Sequence, residues 1–280
     1  MDERSAAILE IIRTMPSKTI TATMANPKSS SVRTFKGPSL FDYAVATKLF
    51  AAKMGGGTLA NSYFVVTAED GVRSAVALGE VWPNASDKDV LVAYEQDGEA
   101  IRNGVRLVIT GDGLAGRSIG GVVSIDAATV AADPAPGGNL ELTGLVDRPG
   151  PVDFSALPAD AYTEVTTVAA VGHGGTAIDP RTYGGYKLWS ILDHAGIQND
   201  DTQHEDFIGK VVVASSSDGH SVVIAGGEIE PRFMNGDAII ATTRDGQPIG
   251  DEGGVRLMVP YDKKPGRWAK FITRLELRRA

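Results

Sequence analysis

VVVASSSDGHSVVIAGGEI, residues 211–229, decides how this chain is read. Two runs rich in Val and Ile, 211–215 and 221–225, flank Asp218-Gly219. β-Branched residues pack well on a pleated surface. An Asp-Gly pair supplies the positive φ that a tight connection between two strands requires. The segment is expected to be a β-hairpin. An earlier segment has the same plan: YFVVTAEDGVRSAVALGEV, residues 63–81, sets Asp70-Gly71 between runs at 63–67 and 73–78.

Working outward, the likeness continues. At an offset of 148 residues, Gly37 falls on Gly185, Leu40 on Leu188, Gly79-Glu80 on Gly227-Glu228, Pro83 on Pro231, and Asp97-Gly98 on Asp245-Gly246. Two further residues enter the later segment, and at 150 the matches resume: Gly104 to Leu107 with Gly254 to Leu257, Asp112 with Asp262, Gly116-Arg117 with Gly266-Arg267. A repeat of this length predicts two copies of one α+β unit. The first copy is placed at 1–132 and the second at 139–280, with Asp133-Pro-Ala-Pro-Gly-Gly138 as linker. In the second copy KLWSILDHAGI, residues 187–197, has apolar residues at helical spacing and Gly196 as its stop.

Composition narrows the function classes. The chain has 280 residues, 42% of them hydrophobic, with 35 acidic and 27 basic residues and a net charge of −8. That balance argues against a nucleic-acid backbone or an anionic membrane as main partner, since both need a basic face. With no cysteine, thiolate metal sites, disulfides and cysteine nucleophiles are excluded. No apolar run of about 18 residues is present, so no membrane insertion is expected. The opening twelve residues lack the apolar core of a signal peptide.

Several motifs invite chemistry. Gly111-Asp-Gly-Leu-Ala-Gly116 spells a dinucleotide fingerprint, but the residues after it read as a strand and not as the helix that must face a pyrophosphate. Gly55-Gly56-Gly57 reads as a connection between helix and strand. Glu80 and Glu228 recur at equal places, which favours a role in the fold over a pair of catalytic carboxylates. Of the four histidines, His173 stands out because glycines on both sides allow close approach of a ligand. Pro260 to Lys270, PYDKKPGRWAK, joins four cations to an indole in a turn. Such a turn can hold an anionic or aromatic molecule, and the first copy has neither the lysines nor the tryptophan there.

Three stretches in order, LELTGLVDRPGPVDFSALP (140–158), YGGYKLWSILDHAGI (183–197) and GVRLMVPYDKKPGRWAKFITRLEL (254–277), together with the 211–229 hairpin, resemble the molybdopterin-binding domain of sulfite oxidases and their bacterial relatives. The resemblance implies two tandem copies of that fold, with mixed sheets and a β-grasp-like motif. It also implies an extracytoplasmic, periplasmic setting. Enzymes of the family hold molybdenum by a cysteine placed after the strand matching TEVTTVAAV (163–171). Here that region offers Ala169, Ala170, Val171 and His173, and no thiolate. Lys270 matches a lysine that the enzymes aim at the pterin. The resemblance therefore implies non-catalytic binding of a pterin or molybdopterin-like heterocycle, without metal, as a sensor or carrier. The expected pocket draws on His173, Arg181, Arg267, Trp268 and Lys270. A molybdopterin-dependent oxidoreductase with a ligand such as His173, and a scaffold with a protein partner, are the alternatives.

Overall fold

The computed structural model describes residues 2–50, 56–131, 135, 137–167, 170–171, 177–234, 237–250 and 253–280. Each half contains an antiparallel hairpin at the places where Asp-Gly predicts one. Ser62–Ala68 pairs with Arg73–Ala77, and Lys210–Ser216 with Ser221–Ala225. Gly71 and Gly219 both adopt φ of 87° in the turns, a conformation open to glycine because it lacks a Cβ.

The later strand of each half runs antiparallel along its hairpin: Val122–Thr129 beside Ser62–Ala68, and Ile272–Arg279 beside Lys210–Ser216. A register shift interrupts both pairings at matched points, after Thr67 and after Ser215. The main remaining strands form two separate sheets in the first half and one continuous sheet in the second. In the first, Lys18–Asn26 pairs with Ser29–Gly37, and Val90–Ala93 with Arg106–Ile109. In the second, the strands run Tyr162–Thr166, Thr182–Lys187, Ile239–Arg244, Arg256–Met258 and Ala269–Lys270. The helix Leu188–Ala195 ends at Gly196, whose φ is 80°. Of Gly55-Gly56-Gly57, expected as a plain connection, the last two begin a short helix, Gly56–Asn61, and Gly55 lies outside the described residues.

The halves differ at one sheet edge. Glu141–Gly144 adds a parallel strand to Ile272–Arg279. In the first half the helix Glu3–Arg13 packs against Val122–Thr129 instead, burying Ile8, Leu9 and Ile12 in the same core as Ile125.

Strand alternation explains how the halves meet. Phe64, Val66 and Val76 enter the first core, and Val212, Ala214, Val222 and Ile224 the second. Their neighbours Tyr63, Val65, Ala75 and Ala77 turn the other way and pack with Val211, Val213, Val223 and Ala225 in a third cluster. Both faces of each hairpin are thus buried, which is why the sequence shows continuous apolar runs rather than alternation.

Candidate functional site

At the edge of that shared layer the chain buries a group of charges. The short helix Leu78–Val81 follows the first hairpin, and Gly226–Ile229 follows the second. Each is held at its start by a glutamate: Glu80 Oε1 accepts from the Ala77 N–H at 3.2 Å, and Glu228 Oε1 from the Ala225 N–H at 2.9 Å. The carboxylates then meet arginines brought in from a turn nearly forty residues on. Arg117 donates to Glu80 at 2.9 and 3.2 Å and to Asp112 at 2.7 and 2.9 Å. Arg267 donates to Glu228 at 2.9 Å and to Asp262 at 2.6 and 2.8 Å.

The arginines cross between halves. A Cβ on Gly79 would run into the Arg267 side chain, and one on Gly227 into the Arg117 side chain. Each half therefore keeps a glycine where the other half's guanidinium stem must lie. Arg117 is 0% exposed and Arg267 2%. Unpaired charge at such depth is costly, and hydrogen-bonded pairing is what makes it tolerable.

Electrostatics separate the two glutamates. Burial pushes Glu80 up, but Arg117 and Lys88 outweigh it and hold the carboxyl at about 2. Burial also pushes Glu228 up; Arg267 opposes this, Glu80 adds repulsion, and the carboxyl stands at about 7. A cleft of about 240 Å³, lined among others by Lys88, Thr110, Tyr261, Asp262 and Arg267, opens onto these groups.

Two larger clefts lie at matched places in the halves. One of about 440 Å³ is lined by Pro16, Ser39, Asp42, Pro83 and Asp89, and one of about 500 Å³ by Pro158, Lys187, Ser190, Pro231 and Asp237. Trp189 and His194 add an indole and an imidazole to the second cleft.

The residues expected to form a pocket are spread apart. Arg181, 53% exposed, pairs with Asp245 at 2.8 Å, just as Arg33 pairs with Asp97 at 3.1 Å in the first half. Arg267 is taken up by Glu228 and Asp262, so its guanidinium holds the interior rather than facing solvent. Trp268 is half-buried, donates Nε1–H to the Val259 carbonyl at 2.9 Å, and packs against the cluster that contains Ile239, Ile249 and Met258. Lys270 is exposed on the last strand of the second sheet, opposite Arg256. Three strand spacings, roughly 14 Å, separate that strand from the one that Arg181 precedes. Trp268 and Lys270 are therefore neighbours, and Arg181 is remote from both. His173 lies outside the described residues.

Exposed ion pairs contribute little because water screens them. Arg181→Ala is accordingly expected to leave the melting temperature unchanged, and a thermal scan beside the wild type checks this.

Lys88, Asp112, Tyr261 and Asp262 were not expected at a site. The two aspartates had a signal in the register itself: an aspartate stands five residues before an arginine in both halves, after a repeated Gly-Glu, whereas Lys88 and Tyr261 stand opposite glycines.

Among the described residues no group of three or more His, Asp or Glu side chains is placed to hold a metal ion, and no helix is long and apolar enough to cross a membrane. The donor set does not fit a thiolate-held molybdenum, because the chain contains no cysteine. The sequence model of the family described as oxidoreductase molybdopterin binding domain matches residues 138–280, just over half of the chain. Among curated proteins none matches the chain.

Proposed function

The chain belongs to the oxidoreductase molybdopterin-binding domain family, and from that premise we propose that its C-terminal half binds a pterin-type heterocycle, as a sensor or carrier and not as an oxygen-transfer enzyme. The observation that carries the reading is the absence of cysteine from a segment that otherwise fits the family. A soft sulfur donor is what the molybdenum centre of such a domain draws from the protein. Without it the domain retains a surface for the organic part of the cofactor and gives up the metal–protein bond.

Trp268 and Lys270 are the residues proposed to meet the ligand. The indole is an apolar plate fixed through its N–H by Val259, and an exposed ammonium two residues on suits a phosphate or a ring oxygen. Stacking on an aromatic face is worth on the order of 1 kcal/mol, so polar contacts must supply most of the affinity. His173 remains a proposed contact from the adjoining segment.

The first half is proposed to be a diverged copy of the second. The ordered register, the matched hairpin turns and register shifts, and the paired Glu–Arg–Asp groups support that view. A periplasmic location is likewise proposed, on the resemblance alone.

The test is small-molecule mass spectrometry and elemental analysis on natively purified protein. The expected outcome is a released pterin with molybdenum well below stoichiometric, and weaker pterin binding in Lys270→Ala than in Arg181→Ala. Stoichiometric molybdenum after dialysis would instead favour the oxidoreductase reading that the family's description carries. Neither pterin nor metal would leave the scaffold reading.

A further inference from the structure

The two buried charge groups are not equal. In the first, the Lys88 ammonium lies 3.2 Å from Glu80 Oε2 and 3.3 Å from Asp112 Oδ1. Two carboxylates there face two cations, Lys88 and Arg117. In the second, the 148-residue register places Gly236 at the position of Lys88. The oxygen matching the one that accepts from Lys88 is met by a neutral group instead: the Tyr261 hydroxyl donates to Glu228 Oε2 at 3.2 Å. Among the described residues Arg267 is thus the one cation hydrogen-bonded to Glu228 and Asp262, and Lys88 acts on Asp262 only through space.

The surroundings do not repair the deficit. From the first half Glu80 faces Glu228 with like charge, and Arg117 passes over Gly227 already committed to Glu80 and Asp112. Tyr261, by its hydroxyl, and Asp262, by like charge, face it from the turn that carries Arg267. Among the described residues, those named interactions set four carboxylates against three cations. Glu228 is 0% exposed and does not line the cleft, so water does not make up the difference at its carboxyl, and an uncompensated charge in the interior costs several kcal/mol.

We infer that the joint between the halves holds one proton in place of the missing cation, on the Glu228 carboxyl, and that the cohesion of the halves is thereby coupled to pH. The inference stands on charge count and geometry and is independent of any ligand. It agrees in direction with the burial that lifts Glu228 to about 7. A carboxyl raised in the fold above its ordinary value of 4.5 stabilises fully below pH 4.5. That contribution declines as pH rises and is lost through about 7.

Infrared titration of the intact chain tests this, because the carbonyl stretch of a protonated carboxyl is resolved from the carboxylate bands. At mildly acid pH the wild type is expected to show a protonated carboxyl that disappears with a midpoint near 7. Glu228→Gln should abolish the band and flatten the decline of melting temperature on the alkaline side. Lys88→Met should add a second protonated carboxyl by removing one more cation. Glu230 is also pushed up by burial, so Glu230→Gln is the control and should leave the band in place. A wild type with no such band at mildly acid pH overturns the inference even if every variant misfolds. A band that persists in Glu228→Gln overturns it as well.

Discussion

Arg267→Ala is expected to destabilise the chain by about 3–5 kcal/mol, the usual cost of breaking a buried ion pair by removing one partner. The arginine satisfies Glu228 and Asp262, and its stem fills the recess over Gly79. Truncation strands two buried carboxyls and opens a void across the joint. A domain has only about 5–15 kcal/mol of stability in all, so the loss is a large share of the total. Urea unfolding, read as a fall in midpoint, measures it. Arg117→Ala should cost a similar amount, with Lys88 remaining to shield Glu80 and Asp112. If Arg267 served chiefly to contact a ligand at the surface, its loss would leave the urea midpoint where it was.

Gly185→Ala is expected to be the second severe change. The strand Thr182–Lys187 approaches Ile239–Arg244 so closely here that a Cβ would strike the Ile240 carbonyl oxygen and the Ala241 Cα. Both obstacles are backbone, so no rotamer change relieves them. Pairing also shifts register between Gly184 and Gly185. Overpacking of this kind costs roughly 1–3 kcal/mol, at times more. Gly37 makes the same approach to Val92 and Ala93 in the first half, so Gly37→Ala should fail in like manner. Gly266→Ala, where nothing lies within 4 Å, is the neutral comparison. Thermal melts of the three variants rank them, and equal melting temperatures for Gly185→Ala and Gly266→Ala would defeat the argument.

Local chemistry was the legible part of the sequence. Asp-Gly pairs announced hairpins because their backbone geometry is a property of two residues. The helix Leu188–Ala195 was announced by its periodicity and by Gly196. The layer between the halves was hidden for a physical reason: Val211 and Val213 face one way, Val212 and Ala214 the other, and burial on both sides erases the polar half of the pattern. The charged groups were hidden differently. Asp262 and Arg267 stand in a turn beside Lys263 and Lys264, and a sequence shows charge but not depth. Arg267 therefore reads as a cation for a ligand, whereas the fold closes it in against Glu228. Its neighbour Gly79, 188 residues earlier, becomes intelligible only once the halves are face to face.

The exchange of arginines across the joint has a consequence for a nicked molecule. Cutting the peptide chain in the Pro- and Gly-rich stretch between the halves would produce two fragments, each carrying the side chain that seals the other's recess. Together with the apolar layer of Tyr63, Val65, Val211 and Val213, this makes the fragments mutual complements. They should migrate as one species in a native gel and as two in denaturant.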